Sequence, residues 1–329
     1  MTTKLFLFFI LLSQATSSFS EMTCKPEDKR ILLQIKKELN NPTLLSSWKP
    51  HTDCCHSNWY GVVCFPISNI IWSLSLSTNN DLTSQIPPSL GNLTKLETLS
   101  FFQLPNLSGP IPNSLSKLTK LKFLTFSKTS ISGPIPDFVT KLKNLVTLDL
   151  SFNNLSGTLP HSLYKLPNLS GILFMNNKLT GPIPYSYGYF NNTNLPSLFL
   201  SNNKLSGTLP LSLARLNSSL IDFSHNRFEG DASMLFGSTK ATVLIDLSWN
   251  KFAFDMGKLE LTKTLDTLDV SHNQIYGNLP MGMENILSLN VSYNRLCGEI
   301  PKGGKLQSFD VDTYFHNKCL CGSPLPSCK

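Results

Sequence analysis

The sequence predicts an α/β solenoid, a right-handed superhelix with a parallel β-sheet on its concave side and a cysteine-bearing cap at each end. Three observations carry this. A leucine phrase returns about every 24 residues through most of the chain, the phrase ends on asparagine, and all eight cysteines lie outside the regular middle. Compare Leu145-Val-Thr-Leu148-Asp-Leu150-Ser-Phe-Asn153 with Leu195-Pro-Ser-Leu198-Phe-Leu200-Ser-Asn-Asn203. The asparagine position runs through Asn79, Leu104, Thr129, Asn153, Asn177, Asn203, Asn226, Asn250, Asn273 and Asn294, at intervals of 21 to 26 residues. Such a period means about ten leucine-rich repeats, each burying its leucines only against its neighbours.

In chain order, residues 1–20 read as an export signal. Lys4 precedes an apolar run from Leu5 to Leu12, and Ser18-Phe-Ser20 places small residues ahead of a cleavage point before Glu21. Its removal takes one lysine from the formal charge of +7 and leaves about +6. The run is too short to span a bilayer, and no later segment approaches 18 continuous apolar residues. The product is therefore expected to be secreted, with no membrane anchor.

Residues 21–68 form the front cap. Pro26 to Leu39 carries Ile31, Leu32, Ile35 and Leu39 at helical spacing behind an early proline, the pattern of an amphipathic helix. Trp48 and Trp59 are its expected packing anchors. Residues 69–300 are the repeats. In each Leu-x-Leu segment the leucines point inward and the residue between them lines the concave face, because side chains alternate along a strand. The ladder asparagine suits the sharp turn that follows, where its amide can satisfy buried backbone groups. Leu104 and Thr129 break the ladder, so the early repeats are expected to be less regular. A Leu-Ser-Gly-x-Ile-Pro phrase at 107–112, 131–136 and 179–184 adds a glycine for close backbone approach and a proline that opens the next turn. Residues 301–329 form the rear cap.

Cys24, Cys54, Cys55 and Cys64 stand at the front, and Cys297, Cys319, Cys321 and Cys328 at the rear. Neither group has paired Cys-x-x-Cys spacing, so disulfides are favoured over a metal site in an exported chain. Adjacent Cys54 and Cys55 should not bond each other, which leaves two arrangements at the front; the rear is open from spacing alone. Seven acceptor sequons, at Asn92, Asn106, Asn154, Asn168, Asn191, Asn217 and Asn290, mark turns where a glycan would exclude partners. Asn290 sits in a concave position, where a glycan would shorten the binding surface.

The segment Cys24-Lys-Pro-Glu-Asp-Lys, then Leu32-Leu-Gln-Ile-Lys-Lys-Glu-Leu39, Ser46-Ser-Trp48, Asp53-Cys-Cys55, Gly230-Asp-Ala-Ser233, and the tail Leu296-Cys-Gly-Glu-Ile-Pro301 through Pro326 resemble plant polygalacturonase-inhibiting proteins. The likeness spans essentially the whole mature chain. It implies a plant cell-wall defence protein that binds microbial or insect endopolygalacturonases through its concave face and limits pectin cleavage. It also implies the pairs Cys24 with Cys54, Cys55 with Cys64, Cys297 with Cys319 and Cys321 with Cys328. Relatives carry basic residues beside the ladder for pectin; the matching sites here are Asn202, His225, Trp249 and Ser271, so pectin as a second partner at that edge is in question.

Independently of the likeness, the residues between the strand leucines are Ser75, Ser100, Thr125, Asp149, Leu173, Phe199, Asp222, Asp246, Asp269 and Asn290. Strands roughly 4.8 Å apart would set Asp222, Asp246 and Asp269 in a line. Neighbouring charges there repel by about 3 kcal/mol at an effective dielectric near 20, before screening. The isolated fold gains nothing from that repulsion, and a cationic partner would relieve it. Asp149 stands apart from the trio. Leu173, Met175, Phe199 and Trp249 supply an apolar centre beside the acids, the composition of a protein interface. His225 and His272 lie on the concave rim near Asp222 and Asp269. The competing reading is that Leu-Asp-Leu-Ser is simply a solvated repeat phrase.

Lys95, Lys117, Lys120, Lys122, Lys141, Lys143 and Lys165 gather on the segments leading into the strands. They could draw a polyanion, but with no aromatic groups interleaved for sugar stacking the preferred reading is a solvated edge. No serine elbow, phosphate loop or metal motif is present, and an open sheet offers no water-excluding pocket, so neither an enzyme nor a cofactor is expected. Nucleic acid does not suit an exported chain. The expected protein is a monomeric, non-catalytic inhibitor of the extracellular space and cell wall; the alternative is a recognition module for a peptide or receptor ectodomain. Ice binding, known in one similar protein, would call for regular Asn or Thr arrays that the outward column lacks.

Overall fold

The computed structural model describes residues 24–191 and 196–329; the export signal expected over 1–20 lies outside them. Helix α1, Pro26–Glu38, opens on proline, carries Glu27 and Asp28 in its first turn and Lys36 and Lys37 in its last, charges that suit both ends of the helix dipole. It buries Ile31, Leu32 and Ile35. Below it Trp48 and Trp59 are buried and stacked, ring centroids 5.6 Å apart. Their indole N–H groups donate to the Tyr60 carbonyl and the Thr52 hydroxyl, so neither ring leaves a polar atom unpaired. Disulfides join Cys24 to Cys54 and Cys55 to Cys64.

The concave sheet starts with an antiparallel pair, β1 (Val62–Cys64) and β2 (Ile71–Ser77). It continues in parallel through β3 (Thr98–Gly109), β4 (Phe123–Pro134), β5 (Thr147–Asp149), β6 (Gly171–Leu173), β7 (Ser197–Phe199), β8 (Leu220–Asp222), β9 (Leu244–Asp246), β10 (Thr267–Asp269) and β11 (Ser288–Asn290). The inward column Leu124, Leu148, Ile172, Leu198, Ile221, Ile245 and Leu268 pairs strand to strand in unbroken register and is fully buried. One hydrophobic core therefore runs the length of the stack.

The asparagine ladder closes each turn. Asn226 Nδ2 donates to the carbonyls of Leu200, Phe223 and Ser224 at 3.0 to 3.2 Å, while its Oδ1 accepts from the Leu205 N–H at 3.0 Å in the preceding coil. Asn177, Asn203, Asn250, Asn273 and Asn294 repeat the arrangement. The ladder also has a rung beyond the sequence reading. Asn317, inside the rear cap, donates to the Val291 and Tyr314 carbonyls and accepts from the Leu296 N–H. Where the ladder breaks, at Leu104 and Thr129, no amide closes the turn, and β3 and β4 run on for 12 residues each with Leu104 paired to Thr129. The backbone groups find partners across the coil instead.

The convex side consists of short 3-10 turns such as Asn113–Lys117, Tyr185–Tyr189 and Leu211–Arg215, each entered from an extended proline. Helix α1 is the one α-helix among the described residues. The Leu-Ser-Gly phrase builds a second parallel sheet, from Thr180–Gly181 through Lys204–Thr208 and Arg227–Gly230 to Lys251–Phe252. Gly207 turns the chain out of it at φ +85°, a conformation costly for any other residue. At the rear, Cys297 bonds Cys319 and Cys321 bonds Cys328.

Candidate partner-binding site

Sheet register sets the residues between the strand leucines in a single row. Asp149 stands beside Leu173, Leu173 beside Phe199, Phe199 beside Asp222, and then Asp246, Asp269 and Asn290 follow. All are half-buried. The outward residues two positions earlier, Leu220 and Leu244, flank the acids and were not singled out from sequence. Together Phe199, Leu244 and the three acids line a shallow depression of about 240 Å³.

The acids also have local partners in the isolated fold, which the sequence reading did not foresee. Asp149 and Asp222 each accept, on Oδ1, the backbone N–H and hydroxyl of the serine two residues on. Asp246 and Asp269 accept the N–H of Ser248 and Ser271 in the same way, and Asn290 accepts both groups of Ser292. Each acid thus fixes the strand end through one oxygen. Burial, aided by the charges of Asp269 and Asp222, pushes the Asp246 carboxyl up to about 6 against its bonds to Ser248.

A second column runs along the rim, one residue before each ladder position: Lys128, Phe152, Asn176, Asn202, His225, Trp249, His272, Tyr293 and His316. All have φ between 51° and 57°, a left-handed conformation that the turn adopts with or without a closing asparagine. Identical turns one coil apart aim their side chains alike, so flat rings meet face to face. His225 and Trp249 stack at 5.4 Å, Trp249 and His272 at 3.8 Å, His272 and Tyr293 at 4.1 Å, Tyr293 and His316 at 4.2 Å. Trp249 and Tyr293 remain about half exposed. Burial lowers the His272 pKa, Asp269 opposes this, and His225 and His316 add to it; its Nδ1 is buried with no hydrogen-bond partner among the described residues. Earlier in the column Lys128 Nζ lies 5.2 Å from the Phe102 ring and 5.8 Å from that of Phe152.

This column corrects one assignment. Ser271 is buried and its N–H is held by Asp269; the side chain beside the ladder is His272. Tyr293 and His316 were missed, although counting back one residue from Asn294 and Asn317 finds both. Met175 is half-buried two residues past the acid row, next to Leu173, at a position that is serine in every other repeat but that of Phe102. Of the sequons, Asn92, Asn106, Asn168 and Asn191 are exposed, whereas Asn154, Asn217 and Asn290 are half-buried. Asn290 Nδ2 faces Asp269 Oδ2 at 3.5 Å, where a glycan would stand inside the acid row. The lysines expected on the leading segments are exposed, with Lys122 paired to Glu97 at 2.8 Å.

Comparison with known proteins places these features in context. Residues 25–65 match the family "Leucine rich repeat N-terminal domain", and residues 144–166 and 194–216 match "Leucine Rich Repeat". The chain is 57% identical to a polygalacturonase inhibitor of Pyrus communis, covering 98% of this chain and 96% of that one. It is 58% identical to polygalacturonase inhibitor 1 of Phaseolus vulgaris, covering 100% and 97%. Among solved structures, a plant ice-binding protein superposes with a TM-score of 0.90 at 46% identity, covering 93% of this chain and 99% of that one.

Proposed function

The chain belongs to the polygalacturonase inhibitor family, and from that premise we propose that it is a secreted, non-catalytic protein that binds microbial or insect endopolygalacturonases and limits pectin degradation in plant defence. The observation that carries this is the full-length likeness to inhibitors, caps included. The concave face supplies the contact surface. Asp149, Asp222, Asp246 and Asp269 offer carboxylates to cationic side chains, each with one oxygen already committed to a serine. Leu173, Met175, Phe199 and Trp249 supply the apolar anchors, with His225 and His272 on the rim. An interface of standard size would bury about 1,600 Å² in total, and Trp249 at 51% exposure has the most surface to lose among these anchors.

The protein acts as a monomer in the extracellular space and cell wall, and pectin is a second partner drawn by the net positive charge, +7 for the full chain and one less without Lys4. No helix among the described residues is long and apolar enough to cross a membrane. Ice binding fits less well, since the outward column mixes Ser, Thr, Asp, Leu, Phe and Asn. The test is reducing-end release from polygalacturonic acid by several fungal and insect polygalacturonases, with and without purified protein. Dose-dependent loss of release with at least one enzyme is expected. Full activity of every enzyme beside saturable binding of a peptide or receptor ectodomain would replace inhibition with the recognition-module alternative.

A further inference from the structure

The convex edge holds a surface that the sequence reading set aside for want of aromatic groups among the lysines. The fifth residue after the proline that opens each convex turn forms a column: Lys117, Lys141, Lys165, Tyr189, Arg215. Tyr189 interrupts a run of cations, and two more tyrosines join it. Tyr185 and Tyr189 belong to one turn, ring centroids 5.9 Å apart, 60% and 43% exposed; Tyr164 comes from the coil before. With His161, Pro184 and Ser186 they line an open groove of about 480 Å³, within the size range of small-ligand sites.

The groove is built rather than incidental. Tyr187, in the same turn, is fully buried with its ring edge against Phe190 at 4.9 Å, so the turn is anchored from below. Ser186 donates to the His161 carbonyl and ties the two coils together. Gly188, in the same turn, stands where the flanking coils have Tyr164 and Ala214, and a Cβ there would come within 2.1 Å of the Ser212 carbonyl oxygen, so the turn is pressed closely onto the coil that follows. Cations border both ends: Lys165 Nζ is 5.9 Å from the Tyr164 ring, and the Arg215 guanidinium carbon is 5.2 Å from the Tyr189 ring. None of the six lining residues is acidic.

We propose that this groove binds an acidic oligosaccharide, its pyranose rings lying on the tyrosines and its carboxylates reaching Lys165 and Arg215. Ring faces carry partial negative charge and attract the polarised C–H faces of a sugar, while the flanking cations select a uronide over a neutral chain. Exposed aromatic surface of this kind is otherwise unpaid-for cost to a soluble protein. The inference rests on the pectin part of the reading above and not on enzyme inhibition, which it places on the opposite face.

The test is titration calorimetry of the glycosylated mature protein with an oligogalacturonide, its methyl ester, and a neutral β-glucan oligomer of equal length, with inhibition of a susceptible polygalacturonase measured in parallel. Saturable binding of the oligogalacturonide is expected, at least tenfold weaker in Tyr185→Ala with Tyr189→Ala and severalfold weaker in Lys165→Gln, with inhibition by all variants unchanged. Lys165 is exposed, so its variant keeps the test open if the tyrosine pair misfolds. Equal binding by wild type and both variants, equal binding of the neutral or esterified chain, or binding that emerges only after N-glycans are removed would each overturn the proposal. Absent binding in a protein that still inhibits overturns it too and leaves the inhibitor reading standing; binding without inhibition does the reverse.

Discussion

Coils 98–134 and coils 147–294 share the leucine period, yet they solve the same problem differently. In the later coils an asparagine closes every turn, and the left-handed residue before it stands at the rim. In the earlier coils Gln103 and Lys128 are left-handed as well, but Leu104 and Thr129 supply no closing amide, and the strand continues for 12 residues with its backbone paired to the next coil. The later half carries an ordered stack of rings beside an ordered row of acids. The earlier half shows Lys128 against Phe102 in a looser contact, and Phe123, 43% exposed, at the start of its strand. The backbone offers the same rim position in both halves, and the run of rings from His225 to His316 is what orders the later face.

The sharpest way to break the contrast is to remove a rung. Asn226→Ala strands the Leu205 N–H and three carbonyls and should cost about 3 kcal/mol, whereas Thr129→Ala, which loses a hydroxyl bonded to Asn153, should cost under ~1 kcal/mol. Urea denaturation of both variants measures the difference; equal losses would mean the ladder is no more important late than early. Next in size, Asp222→Lys with Asp246→Lys should slow association with a polygalacturonase by about tenfold or more, with a smaller change in dissociation. Stopped-flow kinetics at two salt concentrations decides this, and an unchanged rate removes the electrostatic role of the acid row. Trp249→Ala empties the space between His225 and His272; inhibition should weaken by roughly tenfold if the ring is an interface anchor, while Phe123→Ser in the earlier coils should alter it little.

The smallest effect is a pH slope. The Asp246 carboxyl titrates at about 6 in the fold and near 3.9 unfolded, so the folded protein holds the extra proton between those values. Stability should therefore fall as pH rises from about 4 to 6 and level off above. Asp246→Asn should remove this slope and gain ~1 kcal/mol at pH 7 once solvent screening is allowed for. His272 works in the opposite direction, its lowered pKa withdrawing stability as pH falls, so the comparison must be wild type against Asp246→Asn. Thermal melts of the pair across pH 4 to 8 check it; parallel curves would show that the buried carboxyl is not the source.

Much of this was legible before any coordinates. A two-residue alternation fixed which leucines face inward, and the period aligned Asp222, Asp246 and Asp269, because both follow from backbone geometry alone. The front helix and its two tryptophans were legible for the same reason. What escaped was whatever depends on contacts between coils. The ring stack needs the turn conformation as well as the spacing, although spacing alone, one residue back from Asn273, gives His272 in place of Ser271. The Asp–Ser bonds are local, yet only strand-end geometry reveals that the acid is already partnered. The convex tyrosines looked unrelated in sequence, since Tyr164 and Tyr185 come from different coils, and Asn317 was hidden by its place among cap cysteines.

That last rung has a practical consequence. Asn317 and the ring of His316 lie just ahead of Cys319, which is bonded to Cys297, so the chain from 298 to 318 forms a covalently closed loop. A protease that nicks the loop once leaves both new ends tethered to the same disulfide. The terminal coil can therefore be cut at that loop without being shed.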